Sequence, residues 1–151
     1  ALLGFVLRPA TEIRNTYDNI KKTKYYTINH IHQEILADAH HTSAKYDEKI
    51  SEFDMTDLSE IFLEDFFAPF VNRATVKIGM KFLEEYLINA NQTILVIGEI
   101  QDIYIDKELL EADGFVNLSK GRIAAINGLD GYSIPELKVR MDSQRPKISG
   151  S

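Results

Sequence analysis

Residues 93–105, Thr-Ile-Leu-Val-Ile-Gly-Glu-Ile-Gln-Asp-Ile-Tyr-Ile, carry the strongest strand signal in the sequence. β-Branched and aromatic side chains, which favour strands, are frequent in this run. Gly98 lies in its middle, where a glycine commonly marks a bulge or a tight bend. A strand of this length must curl, and closure into a barrel explains the curl better than a flat sheet does. The segment therefore predicts a mainly β protein, a β-barrel with short inserted helices.

Short strands and short helices follow one another through the rest of the chain, and no linker divides it. Regular strand–helix alternation is missing, so a doubly wound parallel sheet is not expected. Residues 118–126 fit either a short helix or an extended piece. Apolar periodicity and turn formers predict strands at 2–7, 25–30, 74–78, 81–88 and 137–141, helices at 12–22, 32–40, 56–62 and 107–112, and a turn at 89–92.

The composition excludes several classes of function. The chain has 151 residues, a net charge of −6 and no cysteine. An acidic surface argues against binding to nucleic acid or anionic lipid, because both reward positive charge. The absence of cysteine removes disulfides and thiol nucleophiles, and it agrees with a cytoplasmic location. No apolar run approaches the roughly 20 residues that cross a membrane, so no membrane association is expected.

The two ends of the sequence differ in character. The chain opens directly in the apolar run 1–7, although termini usually lie at the surface. We therefore expect that a further segment precedes residue 1 and that the opening strands of the barrel are missing from the sequence. Residues 148–151, Ile-Ser-Gly-Ser, are typical of a disordered tail, so the single domain is assigned to residues 1–147.

A candidate phosphate-binding site lies between the first strand and the first helix. Arg8 follows the strand, and Arg14 and Thr16 stand near the start of the helix. Guanidinium groups, hydroxyls and helix N-termini all suit phosphate oxygens. Arg14 and Thr16 do not share a helical face, so both reach one phosphate only if the first turn is irregular. The alternative is a solvated helix surface with Thr11 as its cap.

The histidines offer a second and weaker candidate. His30 and His32 are two residues apart, so on a strand their side chains would share a face, as a pair of metal ligands does. No third ligand follows at a characteristic spacing, and ordinary structural histidines are the simpler interpretation. The sequence contains neither a nucleophile elbow nor a phosphate loop, so no catalytic residue is assigned.

Taken in order, these segments resemble the flavin reductase-like family, whose fold is the FMN-binding split barrel. The most telling similarity is residues 94–100, which resemble the family's long strand with a central Gly-Glu-Val. Further stretches resemble family motifs in the same order along nearly the whole chain: 14–20, 26–29, 42–44 with 51–54, and 113–114 with the Gly-Tyr loop 128–132.

The resemblance implies a flavoprotein that transfers hydride between NAD(P)H and flavin. FMN is the implied cofactor, ahead of FAD, and NAD(P)H is the implied co-substrate. Family members are usually homodimers with flavin at the subunit interface, and an oxygenase or another electron acceptor is the implied partner. The aromatic cluster Phe62, Phe66, Phe67 and Phe70 is the candidate interface. The residues expected to bind the cofactor are Arg8, Arg14, Asn15, Thr16, Asn29, Thr42 and Ser43.

One departure from the family pattern bears on the activity. Many reductases of the family place Gly-Asp-His before the long strand, with the histidine near the nicotinamide, whereas residues 89–92 read Asn-Ala-Asn-Gln here. Gln92 can hydrogen-bond but cannot carry a proton charge. Two alternatives therefore stay open. One is a non-catalytic FMN-binding or electron-carrier protein, and the other is a split-barrel dimer that has lost flavin altogether.

Overall fold

The computed structural model describes residues 1–8, 15–42, 58–144 and 146. Strands dominate this part of the chain, as the sequence predicts. Its strands are β1 (Leu2–Leu7), β2 (Tyr25–Asn29), β3 (Glu60–Ile61), β4 (Phe70–Val71), β5 (Val76–Ile88), β6 (Thr93–Ile105), β7 (Ala125–Asn127) and β8 (Gly131–Ser133), and its helices are α1 (Asn15–Thr23), α2 (Leu36–His41) and the 3₁₀ turns Gln33–Ile35 and Lys107–Leu109.

Four strands form one antiparallel sheet in the order β1–β6–β5–β2. Two small antiparallel sheets, β3–β4 and β7–β8, accompany it. Within the described residues the large sheet is open, with β1 and β2 as its edges, and no closed barrel forms. No helix in this part of the chain is long and apolar enough to cross a membrane.

β5 and β6 form a hairpin of two 13-residue strands at the centre of the sheet. The bounds of β6 are those that the sequence predicts, whereas the two strands predicted at 74–78 and 81–88 are one continuous strand, β5. Residues 89–92 make the predicted turn, in which Gln92 adopts a φ of 59°. The Gln92 side-chain amide donates to the Asn89 carbonyl oxygen at 2.9 Å and closes the turn.

Two bulges interrupt the β5–β6 ladder. Leu83 is an extra residue on β5, because its neighbours in the strand pair with the consecutive residues Gly98 and Ile97. Gln101 is an extra residue on β6 in the same sense. A bulge bends its strand and increases the local twist, so the long hairpin coils instead of lying flat. The bend predicted at Gly98 of β6 is therefore made by the bulge at Leu83 on the paired strand β5.

Several predicted helices and strands differ in the structure. Residues 58–62 form no helix and contain β3, while 56–57 lie outside the described residues. Residues 137–141 form no strand, because their alternating pattern pairs with no strand of the described chain. The helix predicted at 107–112 is a single 3₁₀ turn, and the helix predicted at 32–40 is a 3₁₀ turn followed by α2.

The main core lies on one face of the large sheet. Alternate residues of a strand point to opposite faces, so Val76, Ile78 and Met80 of β5 all enter this core. α1 adds Ile20 and β2 adds Tyr26, and all five side chains are buried. Burial of an aliphatic side chain of this size contributes about 1.5–3 kcal/mol.

The aromatic segment between β3 and β4 covers the opposite face of the sheet. The ring of Phe66 packs on Gly79, where a Cβ would lie 2.9 Å from the ring. Phe70 is fully buried, and its ring lies 5.3 Å from that of Phe66. Phe62 and Phe67 remain 57% and 66% exposed. Two of the four rings therefore pack inside the chain and two stand on its surface.

Gly98 is required by a close approach rather than by its backbone conformation. A Cβ at Gly98 would overlap the hydroxyl of Tyr26 and lie 3.0 Å from the terminal methyl of Met80. Tyr26 is buried, its hydroxyl has no hydrogen-bond partner among the described residues, and burial raises its pKa. The ring of Phe5 meets the Tyr26 ring edge-on at 5.7 Å, so packing alone holds the hydroxyl against Gly98.

We expect Gly98→Ala to lower the free energy of unfolding by about 1–3 kcal/mol, because the added methyl overpacks the core. Tyr26→Phe removes an unpaired buried hydroxyl and should leave stability unchanged or raise it. Combining the two substitutions should recover part of the loss. Urea unfolding of the four proteins measures this cycle. A double variant no more stable than Gly98→Ala would show that the hydroxyl is not the obstacle.

Candidate functional site

The phosphate-binding candidates lie where β1 ends and α1 begins. Arg8 directly follows β1 and is exposed, and Asn15 is the first residue of α1. Thr16 lies in the first turn of the helix and is exposed. Arg14 and Ser43, two further predicted residues, lie outside the described residues. A helix N-terminus presents unpaired backbone N–H groups and a partial positive charge, so the donors at this position suit an anion such as phosphate.

A carboxylate fixes α1 to the hairpin. The Tyr17 hydroxyl donates to Glu85 Oε2 at 2.7 Å, and the Lys21 ammonium group donates to Glu85 Oε1 at 2.7 Å. The hydrogen bonds from Lys21 and then from Tyr17 lower the pKa of Glu85, and they raise the pKa of both donors. Ile20, between the two donors, enters the core. The start of α1 is thereby held at a defined position beside β5.

Asn29 ends β2, and its amide attaches the neighbouring segment to the strand. Asn29 Oδ1 accepts a hydrogen bond from the Val71 N–H at 3.0 Å, and Nδ2 donates to Thr27 Oγ1 at 3.0 Å. Thr27 in turn donates to the Pro69 carbonyl oxygen at 2.8 Å. The second N–H of the Asn29 amide takes no part in these bonds. Asn29 is thus a structural residue in the described chain, with one donor left for a ligand.

Thr42 follows α2, and the end of α2 contacts the β7–β8 hairpin. The Thr42 hydroxyl donates to the Ala39 carbonyl oxygen at 2.6 Å. His40 Nδ1 lies 2.7 Å from the Tyr132 hydroxyl, and the two rings meet edge-on. Tyr132 belongs to β8, within the Gly-Tyr loop that resembles the family motif. The end of α2 and the β7–β8 hairpin are therefore joined.

The strand registers divide the predicted site residues into two groups. Arg8 follows the β1 residue that pairs with Ile94, at the start of β6. Asn29 pairs with Lys77, whose partner on β6 is Tyr104, near the end of that strand. Arg8 and Asn29 therefore lie near opposite ends of the sheet, on its two edge strands. α2, which leads to Thr42, follows β2 at the same end of the sheet as Asn29.

His30 and His32 lie beyond the end of β2, so the strand does not place them on one face. His32 is buried, and its Nε2 lies 2.8 Å from the Arg73 carbonyl oxygen. His30 Nδ1 is buried with no hydrogen-bond partner among the described residues, and burial lowers the pKa of this histidine. The described residues contain no group of three metal-ligating side chains.

A cleft of about 480 Å³ opens between residues 115–125 and residues 135–137. Its walls are mainly apolar. Of the predicted cofactor-binding residues that the structure describes, none lines it. The cleft is therefore separate from the predicted phosphate site.

Glu85 and Tyr17 are the residues of this site that sequence reasoning missed. A carboxylate in a long strand, together with a tyrosine and a lysine one helical turn apart on a nearby helix, is the signal that could have found them. Glu84 and Glu85 look alike in the sequence, however, and only the ladder shows which of them reaches α1.

The open antiparallel sheet with a long coiled hairpin defines a split-barrel protein. The sequence matches the family model of the flavin reductase-like domain over residues 1–123. A protein described as a flavin reductase with a split barrel domain, from Shewanella frigidimarina NCIMB 400, is 41% identical. The match covers 95% of this chain and 71% of that chain, with a TM-score of 0.90. The chain belongs to the flavin reductase-like family, which confirms the resemblance seen in its motifs.

Two more distant solved structures share the fold. Nitrilotriacetate monooxygenase component B from Bacillus cereus is 15% identical, with 93% of this chain and 71% of that chain covered and a TM-score of 0.83. The FMN-binding protein from Thermus thermophilus is 15% identical, with 93% and 73% covered and a TM-score of 0.74. At these identities the likeness establishes the fold alone. No curated protein matches the sequence.

We expect Glu85→Gln to lower the free energy of unfolding at neutral pH by about 0.5–1 kcal/mol, because the carboxylate is partly exposed. The pKa of Glu85 is lowered in the folded chain. Its contribution is therefore present above the unfolded pKa and disappears as the pH falls through the folded pKa. Urea unfolding at several pH values measures the difference between parent and variant, which should vanish in acid.

Glu136→Gln is a matched control for this test. Glu136 pairs with Lys138 at the same 2.7 Å, but both side chains are more than three-quarters exposed. Its replacement should leave stability unchanged at every pH. Equal losses in the two variants would contradict the role assigned to Glu85.

Proposed function

We propose that this chain binds FMN and passes hydride between NAD(P)H and flavin in the cytoplasm. The observation that carries the proposal is the match to the flavin reductase-like domain over residues 1–123, together with 41% identity to the Shewanella protein. The Thermus neighbour is named an FMN-binding protein, which supports FMN as the cofactor. The donors exposed at the start of α1 suit the phosphate of such a cofactor.

We assign the phosphate of FMN to the connection between β1 and α1. A guanidinium fork and the N–H groups of a helix start both bind phosphate well, and the Glu85 contacts hold this helix in place. Asn29 lies too far along the sheet to share that phosphate. The phosphate group is therefore assigned to Arg8, Arg14, Asn15 and Thr16. Asn29, Thr42 and Ser43, at the other end of the sheet, are assigned to the part of a flavin site that the second subunit of the homodimer proposed below would contribute.

The residues of this chain have binding and orienting roles in the proposed reaction. When bound, flavin supplies the two-electron chemistry itself. Hydride transfer needs no protein acid or base, which agrees with a site built from amides, hydroxyls and guanidinium groups. The second N–H of Asn29 is the kind of donor that fixes the orientation of a polar ring edge.

A non-catalytic flavoprotein or electron carrier is the second candidate, and Gln92 favours it. Gln92 stands where many reductases of the family carry histidine. Its exposed side chain bonds to the Asn89 carbonyl oxygen within the turn. A glutamine amide does not take up or release a proton near neutral pH. To face a nicotinamide, the Gln92 side chain would also have to break its hydrogen bond within the turn. NAD(P)H use is therefore the property that separates this candidate from the reductase.

We also propose that the chain forms a homodimer. The exposed rings of Phe62 and Phe67 make an apolar surface of the kind that marks an interface. Two-fold pairing is the commonest way to bury such a surface. The similarity in fold to a monooxygenase component suggests an oxygenase as a further partner, one that receives reduced flavin.

Arg14→Ala should raise the dissociation constant for FMN about ten- to a hundred-fold. The substitution removes a charge-assisted hydrogen bond, typically worth about 1.5–3 kcal/mol. Lys22→Ala is the control, because Lys22 is an exposed cation in the last turn of the same helix. Quenching of flavin fluorescence on titration measures both. Unchanged FMN affinity in Arg14→Ala would remove the arginine from the site.

NADH and NADPH oxidation with added FMN separates the two candidate functions. A reductase should consume the reduced nucleotide only when FMN is present, and the loss of nicotinamide absorbance follows the reaction. Tight FMN binding without turnover would instead establish the carrier. A protein that neither binds FMN nor oxidises either nucleotide would contradict both functions.

A further inference from the structure

The two hydrogen bonds that Glu85 accepts come from opposite ends of α1. The Tyr17 hydroxyl, which donates to Glu85 Oε2 at 2.7 Å, belongs to the first turn of the helix. Lys21, which donates to Oε1 at the same distance, belongs to the last turn. The two donors share one face of the helix because they are four residues apart. Each hydrogen bond therefore holds a different end of α1.

The last turn of α1 has further attachments to the sheet. Ile20 is buried in the core. The Lys24 N–H donates to the Ile20 carbonyl oxygen at 2.8 Å, and the Lys24 carbonyl oxygen accepts from the Phe82 N–H at 2.8 Å. β2 begins at the next residue, Tyr25. Backbone pairing and core packing thus hold this end of the helix even without Lys21.

The first turn of α1 depends on a single side chain. Thr16 and Asp18 are exposed. Among the described side chains of this turn, the Tyr17 hydroxyl alone reaches the hairpin through a hydrogen bond. Tyr17 therefore ties the start of α1 to β5.

A small tilt of α1 would matter at its start. Asn15 stands five residues before Ile20, which is about 7.5 Å along a helix axis. A tilt of about 15° around Ile20 would therefore move the first N–H groups about 2 Å. A hydrogen bond does not survive a change of that size, because donor and acceptor must lie within about 3.2 Å of each other.

We infer that the Tyr17–Glu85 hydrogen bond positions the first turn of α1 for a phosphate group, and so determines how strongly the chain prefers FMN to riboflavin. The inference rests on the proposed function and adds a positioning residue that lies outside the phosphate contacts assigned above. Riboflavin carries the same ring system as FMN but no phosphate. A contact that acts only on the phosphate donors should therefore leave riboflavin binding unchanged.

Tyr17→Phe is the informative substitution. It removes the hydrogen bond and keeps the aromatic ring, the Glu85 carboxylate and the Lys21 ammonium group, so the local charge does not change. Tyr86→Phe is the matched control. Tyr86 is also on β5 and lies beside a carboxylate, that of Glu84, which raises the pKa of its hydroxyl. Neighbouring residues of a strand face opposite sides, so Tyr86 points away from α1.

Titration of flavin fluorescence with the complete chain measures both dissociation constants, one for FMN and one for riboflavin. In Tyr17→Phe the constant for FMN should rise about three- to tenfold, the usual effect of losing one hydrogen bond. The constant for riboflavin should stay within about twofold, as should both constants in Tyr86→Phe. In a Glu85→Ala background the hydroxyl has lost its acceptor, so adding Tyr17→Phe should change the preference no further.

The outcomes separate this inference from the proposed function. An FMN-binding parent whose preference for FMN is unchanged in Tyr17→Phe would overturn the role of Tyr17 and leave the function standing. Equal losses of FMN and riboflavin affinity would overturn it too, because they indicate a general structural effect. A parent that binds riboflavin as tightly as FMN would overturn both the phosphate assignment and the role of Tyr17. A parent that binds neither flavin would contradict the proposed function itself.

Discussion

The pairing of β5 with β6 along their whole length is the interaction on which the rest of the sheet depends. β1 adds to β6, β2 adds to β5, and α1 is attached to β5 through Glu85. The hairpin is local in sequence, so its pairing closes only a short turn and is inexpensive in chain entropy. Its two faces then collect the remaining apolar groups: α1 and Tyr26 on one side, and the Phe66–Phe70 segment on the other.

Elements whose sequence signal is strong and local were predictable. Residues 93–105 combine length, β-branched side chains and a clear turn before them, and β6 has those bounds. The helix expected at 56–62 and the strand expected at 137–141 failed for a different reason. Periodicity reports which side chains could share a face, but it does not report whether a partner surface is present. Residues 60–61 found a partner in β4, and residues 137–141 found none within the described chain.

The chemistry of the site could be read from residue types, but its geometry could not. Arginine, threonine and a helix start suggested a phosphate site, and the order of motifs suggested a flavin. The sequence did not reveal that the Asn29 amide holds Val71, or that the strand registers put Asn29 and Arg8 near opposite ends of the sheet. Those facts depend on strand pairing between residues far apart in the chain, which no local pattern encodes.

The bulge at Leu83 determines how β5 would respond to the loss or gain of one residue. Up to Phe82 the even-numbered residues of β5 face the core. Beyond the bulge the odd-numbered residues do so, beginning with Glu85, which pairs with Val96. Deleting Leu83 would leave every other pairing and facing intact. A deletion or insertion between Val76 and Phe82 would reverse the side chains beyond it and turn Glu85 away from α1. The bulge is therefore a point at which this strand can lose one residue without reversing the side chains that follow.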